Sequence, residues 1–252
     1  MSPVILSGIV VFCSFTLEVI TGFGGAVTAV SFITALLGMH TGVVILTMIA
    51  IIPQLSVVIR NHKKIAWKNY LIIVGLMFPF LFVGRALQSL VDTAVLKRIL
   101  AVFIIAVSVF RLVQFYLKYR RAKEQAEEGT TEETQEVKWY SYIALVGAGV
   151  IHGMFSCGGP LAIIYASSAV KDRDSFRSTM CLLWVTLNTV LTVSYAIDGS
   201  VTADMLRTIL CLIPFVIGGI IAGNLIVKRV NNKVFSVVVY ACLLVTGVFM
   251  LI

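Results

Sequence analysis

Charged side chains are scarce in this chain. Asp, Glu, Lys and Arg make up 13% of its 252 residues, whereas hydrophobic residues make up 59% and the mean hydropathy is +1.00. A soluble domain of average composition carries about 25% charged residues. The shortage of charge excludes an ordinary soluble domain. It predicts an all-α polytopic membrane protein, because helices satisfy their own backbone hydrogen bonds in lipid.

Several signals of enzymes and of nucleic-acid-binding proteins are missing as well. The five cysteines lie inside apolar runs and form no CxxC pair, so we expect neither a metal site nor disulfides. No GxxxxGK[ST] motif is present, which argues against ATP-driven pumping, and we expect no cofactor. The net charge of +8 comes without a basic stripe interleaved with aromatics, so it indicates loops beside anionic lipid rather than nucleic acid. No basic leader with a cleavage site opens the chain, so we expect its start to be a membrane segment.

The apolar residues form runs on both sides of a charged stretch. In each half the third, fourth and fifth runs are long enough to cross about 30 Å of hydrocarbon, while the first two are shorter. This pattern predicts a first transmembrane repeat at 1–117, a charged cytoplasmic linker at 118–138 and a second transmembrane repeat at 139–252. The runs are 4–20, 24–38, 42–59, 69–91, 98–117, 139–153, 159–170, 178–197, 205–227 and 234–252.

The two halves match each other at a nearly fixed spacing. At an offset of 134 residues, Gly24 corresponds to Gly158 and Gln54 to Asn188. Overall identity between the halves is low, and the inference of an ancient duplication rests on the agreement of glycine breaks, amides and prolines.

Lys and Arg are distributed unevenly between the loops. Most of them lie after the third, seventh and ninth runs or in the linker. Because cytoplasmic loops are enriched in Lys and Arg, these loops are predicted to face the cytoplasm and both termini the outside of the cell membrane. The alternation gives the two halves opposite orientations, which is an inverted repeat. Each opening pair of short runs is then either a re-entrant hairpin or two short crossings.

A glycine pair interrupts the opening runs of each half. Such a pair lets the backbone leave the helix and begin again, which lipid tolerates only where protein covers the break or the break lines a cavity. The new helix points free N–H groups and its positive dipole end at that cavity, which favours an anion. Close helix packing is the alternative explanation of the glycines. The candidate anion-binding residues are Thr21, Gly22, Phe23, Gly24 and Gly25 in the first break and Ser156, Cys157, Gly158 and Gly159 in the second.

Five further polar residues lie inside apolar runs. Gln54 and Asn188 are candidates for binding the substrate, with interhelical hydrogen bonding as the alternative. Glu18 and His152 correspond at the 134-residue offset and are candidates for proton coupling, with pinning of the nearby break as the alternative. Arg85 is a candidate for an anion path, although its charge would also be satisfied by reaching toward the outer interface.

The two glycine motifs resemble those of the TauE/SafE sulfite-exporter family. The resemblance covers essentially the whole chain, since family members are small membrane proteins with two glycine-marked repeats around a hydrophilic linker. It implies export, and sometimes uptake, of sulfite, sulfoacetate or a related sulfur-containing anion. The segments that carry the resemblance are Gly22-Phe23-Gly24-Gly25 and His152-Gly153 through Ser156-Cys157-Gly158-Gly159-Pro160.

The residues and the resemblance together predict a secondary transporter that moves a small sulfur-containing anion by alternating access. A passive anion channel is the first alternative. An intramembrane thiol enzyme built on Cys157 and His152 is the second, although no third orienting group is evident. The identity of the anion, the direction of transport, the coupling ion and the oligomeric state, including a homodimer, stay open at this point.

Overall fold

The computed structural model of the protein describes residues 3–128 and 137–226, together with Leu244, Gly247, Val248 and Leu251. Within this part the chain folds into nine α-helices without a strand, which confirms the all-α class. A short 3₁₀ turn at His62–Lys64 follows the third helix. The helices are α1 (Pro3–Thr21), α2 (Gly25–Leu37), α3 (Met39–Asn61), α4 (Trp67–Leu90), α5 (Thr93–Glu128), α6 (Tyr140–Phe155), α7 (Gly159–Ala169), α8 (Arg173–Ile197) and α9 (Ala203–Ile226).

Six helices of the described part are long and apolar enough to cross a membrane, namely α1, α3, α4, α5, α8 and α9. The other three, α2, α6 and α7, have 13, 16 and 11 residues. At 1.5 Å per residue, α2 and α7 extend only about 20 and 16 Å, which is less than the roughly 30 Å of a hydrocarbon core. The six spans confirm a polytopic membrane protein, and the short helices lie where the short apolar runs predict them.

Both predicted helix breaks are present. Helical structure is absent at 22–24, between α1 and α2, and at 156–158, between α6 and α7. Gly25, at the start of α2, lies against Ser14 and Glu18, so α2 turns back against α1. A side chain at this position would prevent that close approach.

The backbone conformation differs between the two breaks. In the first, Gly22 (φ 82°) and Gly24 (φ 90°) take the left-handed region, which glycine enters without steric cost. In the second, Ser156 takes that region (φ 55°), while Gly158 has an ordinary φ of −66°. Holding a non-glycine residue such as Ser156 in the left-handed region costs about 1–2 kcal/mol. The glycine pattern therefore locates the second break, but Gly158 supplies room for close packing rather than a positive φ.

The start of α8 is fixed by an acidic cap outside the membrane span. Asp172 accepts a hydrogen bond from Ser175 N at 2.8 Å, which satisfies one of the free N–H groups of the first turn. The same hydrogen bond lowers the pKa of the Asp172 carboxyl, so this cap is ionised at neutral pH.

α3 and α8 cross the centre of the bundle in antiparallel directions. Near the start of α3, the ring of His40 lies 6.4 Å from that of Tyr195, close to the end of α8. Just beyond the end of α3, Lys64 forms an ion pair with Asp174 in the first turn of α8. These two helices form the core on which the breaks pack.

Two further helix pairs, α4 with α6 and α1 with α9, pack closely through glycine. A Cβ at Gly84 or at Gly153 would lie closer than 3.0 Å to a backbone carbonyl of the opposite helix. Between α1 and α9, a Cβ at Gly219 would lie 2.9 Å from Phe12 O, and one at Gly223 would lie 2.8 Å from the side chain of α1 that it faces. Small residues let membrane helices approach in this way.

The outer faces of α4, α5 and α9 are apolar and exposed. Examples are Leu71 and Phe82 on α4, Val102 on α5, and Leu210 and Ile221 on α9. In a membrane these faces contact acyl chains, so their exposure fits the membrane class.

Part of the predicted organisation lies beyond the described residues. α5 continues to Glu128, through the first half of the predicted linker. Residues 129–136 and most of the tenth predicted run, 234–252, are outside the described part. The division into repeats, their relative orientation and the side on which each loop lies stay predictions.

Replacing Gly84 with alanine is expected to destabilise the protein. The added methyl group would press on backbone of α6, and overpacking of this kind costs about 1–3 kcal/mol. Gly75 lies on the same helix, and no atom of another element in the described part comes within 4 Å of its Cβ position, so Gly75→Ala is the matched control. Thermal unfolding in detergent should show a lower melting temperature for G84A alone; equal melting of the two variants would contradict the close packing.

Candidate functional site

Four buried polar side chains form a row across the centre of the bundle. Gln54 connects them, because its Nε2 donates to Glu18 Oε1 at 2.7 Å and its Oε1 accepts from Asn188 Nδ2 at 3.1 Å. The Asn188 side chain in turn faces the His152 imidazole. All four residues are at most 2% exposed. We call these four residues the polar row.

The polar row joins the two helix breaks. Glu18 lies on the last turn of α1 and His152 on the last turn of α6, each just before its break, while Gln54 and Asn188 come from α3 and α8. At the 134-residue offset, Glu18 corresponds to His152 and Gln54 corresponds to Asn188. The sequence analysis selected the two pairs separately, and the fold places them in one row.

Three polar atoms of the row have no hydrogen-bond partner among the described residues. They are Glu18 Oε2, Asn188 Oδ1 and His152 Nε2. The Glu18 carboxyl also lies near the backbone N–H of Ala26, in the first turn of α2. A buried polar atom without a partner costs about 1–3 kcal/mol. The Glu18 carboxylate can therefore bind a proton, and all three atoms can bind a water molecule or a small polar ligand.

The first break is held by its own backbone and by a tryptophan from α8. Gly22 N donates to Glu18 O at 2.7 Å. Thr21 Oγ1 lies 2.6 Å from Phe23 O, which ties the side chain to the turn. Trp184 Nε1 donates to Gly22 O at 3.3 Å. The break is thus fixed in shape, and the donors left over lie in the first turn of α2.

The second break is held by contacts to α3 and to its own helix. Ser156 Oγ forms a hydrogen bond with Thr47 Oγ1 of α3. Gly158 N donates to His152 Nδ1 at 3.4 Å, so a neutral imidazole carries its proton on Nε2. A Cβ at Gly158 would lie closer than 3.0 Å to Ala148 O. Glycine is therefore required at 158 by the approach of the break to α6.

Trp184 lies between the two breaks. Besides its bond to Gly22 O, its ring stacks on His152 with the ring centroids 5.1 Å apart. A Cβ at Gly159 would lie at an ordinary distance of 3.6 Å from the Trp184 ring. A tryptophan within an apolar run looks like any core residue, so no sequence signal distinguishes it.

A cavity of about 560 Å³ opens at the end of the bundle where α3 begins and α8 ends. On its wall, Arg85 Nη2 lies 3.0 Å from Asp198 Oδ2, and Nη1 donates to Gln88 Oε1 at 3.1 Å. The guanidinium also lies 4.4 Å from the centroid of the Tyr195 ring. Gln88 Nε2 donates to Met154 O at 2.8 Å, just before the second break. A residue of the cavity wall is thus bonded to the backbone just before that break.

A comparison with known protein families decides the general class. The family model described as Sulfite exporter TauE/SafE matches residues 7–250, which include both breaks, the polar row and the cavity. This chain belongs to the sulfite exporter TauE/SafE family. The resemblance expected from the glycine motifs is therefore confirmed, and the chain is an anion transport protein in this general sense. No curated protein and no solved structure matches it.

The candidate residues of this TauE/SafE protein fall into two places. The residues of both breaks lie around the polar row, whereas Arg85 lies in the cavity and connects to the second break through Gln88 and Met154. Their roles in binding stay predictions. The sequence analysis missed Trp184 and Gln88, because neither differs in type from an ordinary helix residue.

The thiol of Cys157 lies in the second break and is buried. A thiol–imidazole pair would need contact between Cys157 and His152, but His152 Nδ1 accepts from Gly158 N. Across the described ranges, no group of three His, Cys, Asp or Glu side chains is close enough to hold a metal ion.

Replacing Gly158 with alanine is expected to impair anion flux by about tenfold or more. The methyl group would push the second break away from α6 and disturb the His152 contact, at an overpacking cost of about 1–3 kcal/mol. Gly147→Ala on α6 is the matched control, because its Cβ would lie at an ordinary distance of 3.4 Å from the Leu161 side chain. Flux measured in proteoliposomes at equal protein incorporation checks the difference, and equal flux of the two variants would show that the close approach at 158 is not needed.

Proposed function

We propose that this TauE/SafE protein is a secondary transporter that moves a small sulfur-containing anion, such as sulfite or sulfoacetate, across the cell membrane by alternating access. The observation that carries the proposal is the polar row, which connects a carboxyl group, two amides and an imidazole between two helix breaks. Ionisable and polar groups at this depth in a membrane protein mark substrate and ion pathways.

The packing of corresponding helices supports an inverted repeat. α3 and α8 occupy corresponding places in the two halves and run antiparallel, as a two-fold axis in the membrane plane requires. α1 packs on α9, and α6, the counterpart of α1, packs on α4, the counterpart of α9. The glycines at these contacts, Gly84 and Gly219, also correspond, at an offset of 135.

The anion is proposed to bind between the two breaks. The N–H groups of Gly22 and Gly158 are already used within the breaks, so the remaining donors lie in the first turns of α2 and α7. Pro160 has no N–H, and the Ala26 N–H lies near the Glu18 carboxyl. The positive dipole ends of these helices favour an anion. The proposed contacts come from Thr21, Gly22, Phe23, Gly24, Gly25, Ser156, Cys157, Gly158 and Gly159, with the amides of Gln54 and Asn188.

The two ends of the bundle differ, which supports alternating access. One end holds the cavity at Arg85. At the other end, the rings of Phe23 and Phe176 lie 6.1 Å apart, edge to face, and Lys64 pairs with Asp174. Because the Lys- and Arg-rich loops lie at this second end, we assign it to the cytoplasm and the cavity to the outside. Transport would exchange the open and the closed end.

Glu18 and His152 are proposed to couple a proton to the anion. Each lies at one end of the polar row: Glu18 Oε2 is unpaired, whereas His152 would take a second proton on Nδ1, which now accepts from Gly158 N. Their places beside the two breaks would let a change in protonation alter the hydrogen bonds that reach the anion site.

A flux screen tests the proposal. Purified protein in proteoliposomes is offered sulfite, sulfoacetate, thiosulfate, sulfate and chloride at two pH values. We expect at least one sulfur-containing anion to accumulate against its gradient, whereas a passive channel would only equilibrate it. Failure of every sulfur-containing anion to bind or move would disprove the substrate assignment.

In the same assay, Arg85→Gln should lower flux by about tenfold through loss of the charge on the cavity wall.

The matched control for Arg85→Gln is Arg207→Gln. Arg207 is paired with Asp204 on the surface of α9, its side chain is 81% exposed, and its loss also removes one positive charge. Wild-type flux is expected for R207Q. Equal losses in the two variants would mean that net charge, and not the cavity wall, sets the rate.

Replacing Glu18 with glutamine is expected to abolish accumulation driven by a pH gradient. The amide side chain of the E18Q variant still offers an oxygen to Gln54 Nε2, so the row keeps its shape while it loses the titratable group. Asp204→Asn removes an exposed acid and serves as the control. The measurement is the accumulation ratio with and without an imposed pH gradient; a wild-type ratio in E18Q would assign the coupling to another group.

A further inference from the structure

Arg177 is a buried cation beside the first break. It lies in α8 at the closed end of the bundle, and only 9% of its surface is exposed. A Cβ on Gly22 would lie 2.9 Å from Arg177 Cα and 3.0 Å from its Cγ, so the arginine packs directly against the break. The sequence pattern groups Arg177 with the basic residues of the loop after the seventh run, whereas the fold places it within α8.

No carboxylate forms a hydrogen bond with Arg177 in the described part of the chain. Its Nε atom is buried without a partner. Asp174 is within electrostatic reach, but its carboxylate is engaged by Lys64 at the surface. Arg60 and Arg173 are also within reach and add positive charge. At least the Nε donor of Arg177 is therefore left for a ligand, and the positive charge here favours the entry of an anion.

The first turn of α2 supplies further donors at the same break. α2 has 13 residues and begins at Gly25, three residues after Gly22, and its first backbone bond runs from Thr28 N to Gly24 O. The N–H groups before Thr28 therefore lack partners within the helix, and that of Ala26 lies near the Glu18 carboxyl. A guanidinium group binds two oxygens of an oxyanion at once, and a helix N-terminus adds to its preference for negative charge.

We propose that Arg177 is the cationic residue that holds a small oxyanion of the sulfite class at the first break. The inference rests on the proposed function, because it gives the anion path a charged contact at each end, Arg85 at the cavity and Arg177 at the closed end. Movement of the break away from α8 opens Arg177 to the cytoplasmic side in this mechanism.

The test is a titration of the purified full chain in detergent with sulfite, sulfate and thiosulfate, followed by thermal unfolding. Arg177→Gln should raise the half-saturating anion concentration by about tenfold or more, or remove the anion-dependent stabilisation. Lys63→Gln removes one positive charge from an exposed position at the same end of the bundle, and its half-saturating concentration should stay within about twofold of the wild type.

The melting temperature without anion separates binding from a structural role. R177Q should melt close to the wild-type temperature, because no hydrogen bond or ion pair of Arg177 within the described part is lost. Lower melting together with an unchanged half-saturating concentration would make Arg177 merely structural and overturn the proposal. Equal weakening in K63Q, or a wild type that none of the three anions stabilises, would overturn it as well.

A conservative variant keeps the test decisive if R177Q does not fold. Arg177→Lys retains the charge but loses the planar pair of donors, so the half-saturating concentration should rise by about threefold or more. An unchanged value would contradict the proposal. The two proposals can fail separately. A wild type that binds sulfite in this titration but moves no sulfur-containing anion in proteoliposomes would overturn only the carrier proposal.

Discussion

Polar groups buried away from water must find partners within the protein, and inside a membrane no solvent replaces a missing one. The two helix breaks meet this constraint with the help of other helices. Trp184 of α8 bonds the backbone of the first break, and Thr47 of α3 bonds Ser156 in the second. Neither break is held by its own residues alone. The interrupted helices therefore depend on α3 and α8, which cross between them.

The crossing of α3 and α8 also connects the two breaks energetically. Gln54 bonds both Glu18 and Asn188, so loss of one amide leaves polar groups of both halves without partners. A relative movement of the halves has to carry this row along or exchange its hydrogen bonds. Under the proposed mechanism, the row is where protonation, anion binding and movement of the two halves meet.

Much of the candidate site is visible in the sequence, because polar side chains and glycine pairs stand out within apolar runs. The members of the polar row were selected on that ground, since an ionisable group or an amide in lipid is costly without a purpose. Trp184 and Arg177 were not selected as candidate site residues. A tryptophan in an apolar run is ordinary, and an arginine near the end of a run follows the pattern of a cytoplasmic loop.

Composition and the spacing of the glycines determined the membrane class, the all-α fold, the positions of both breaks and the family resemblance, because these depend on local backbone freedom and average solvation. Only the tertiary structure decided that Glu18 meets Gln54, 36 residues away, and that Gln54 meets Asn188, 134 residues away. It also placed Arg177 against the first break and the left-handed turn of the second at Ser156. Such contacts depend on how helices pack, and the pattern of residue types along a chain does not record which faces come together.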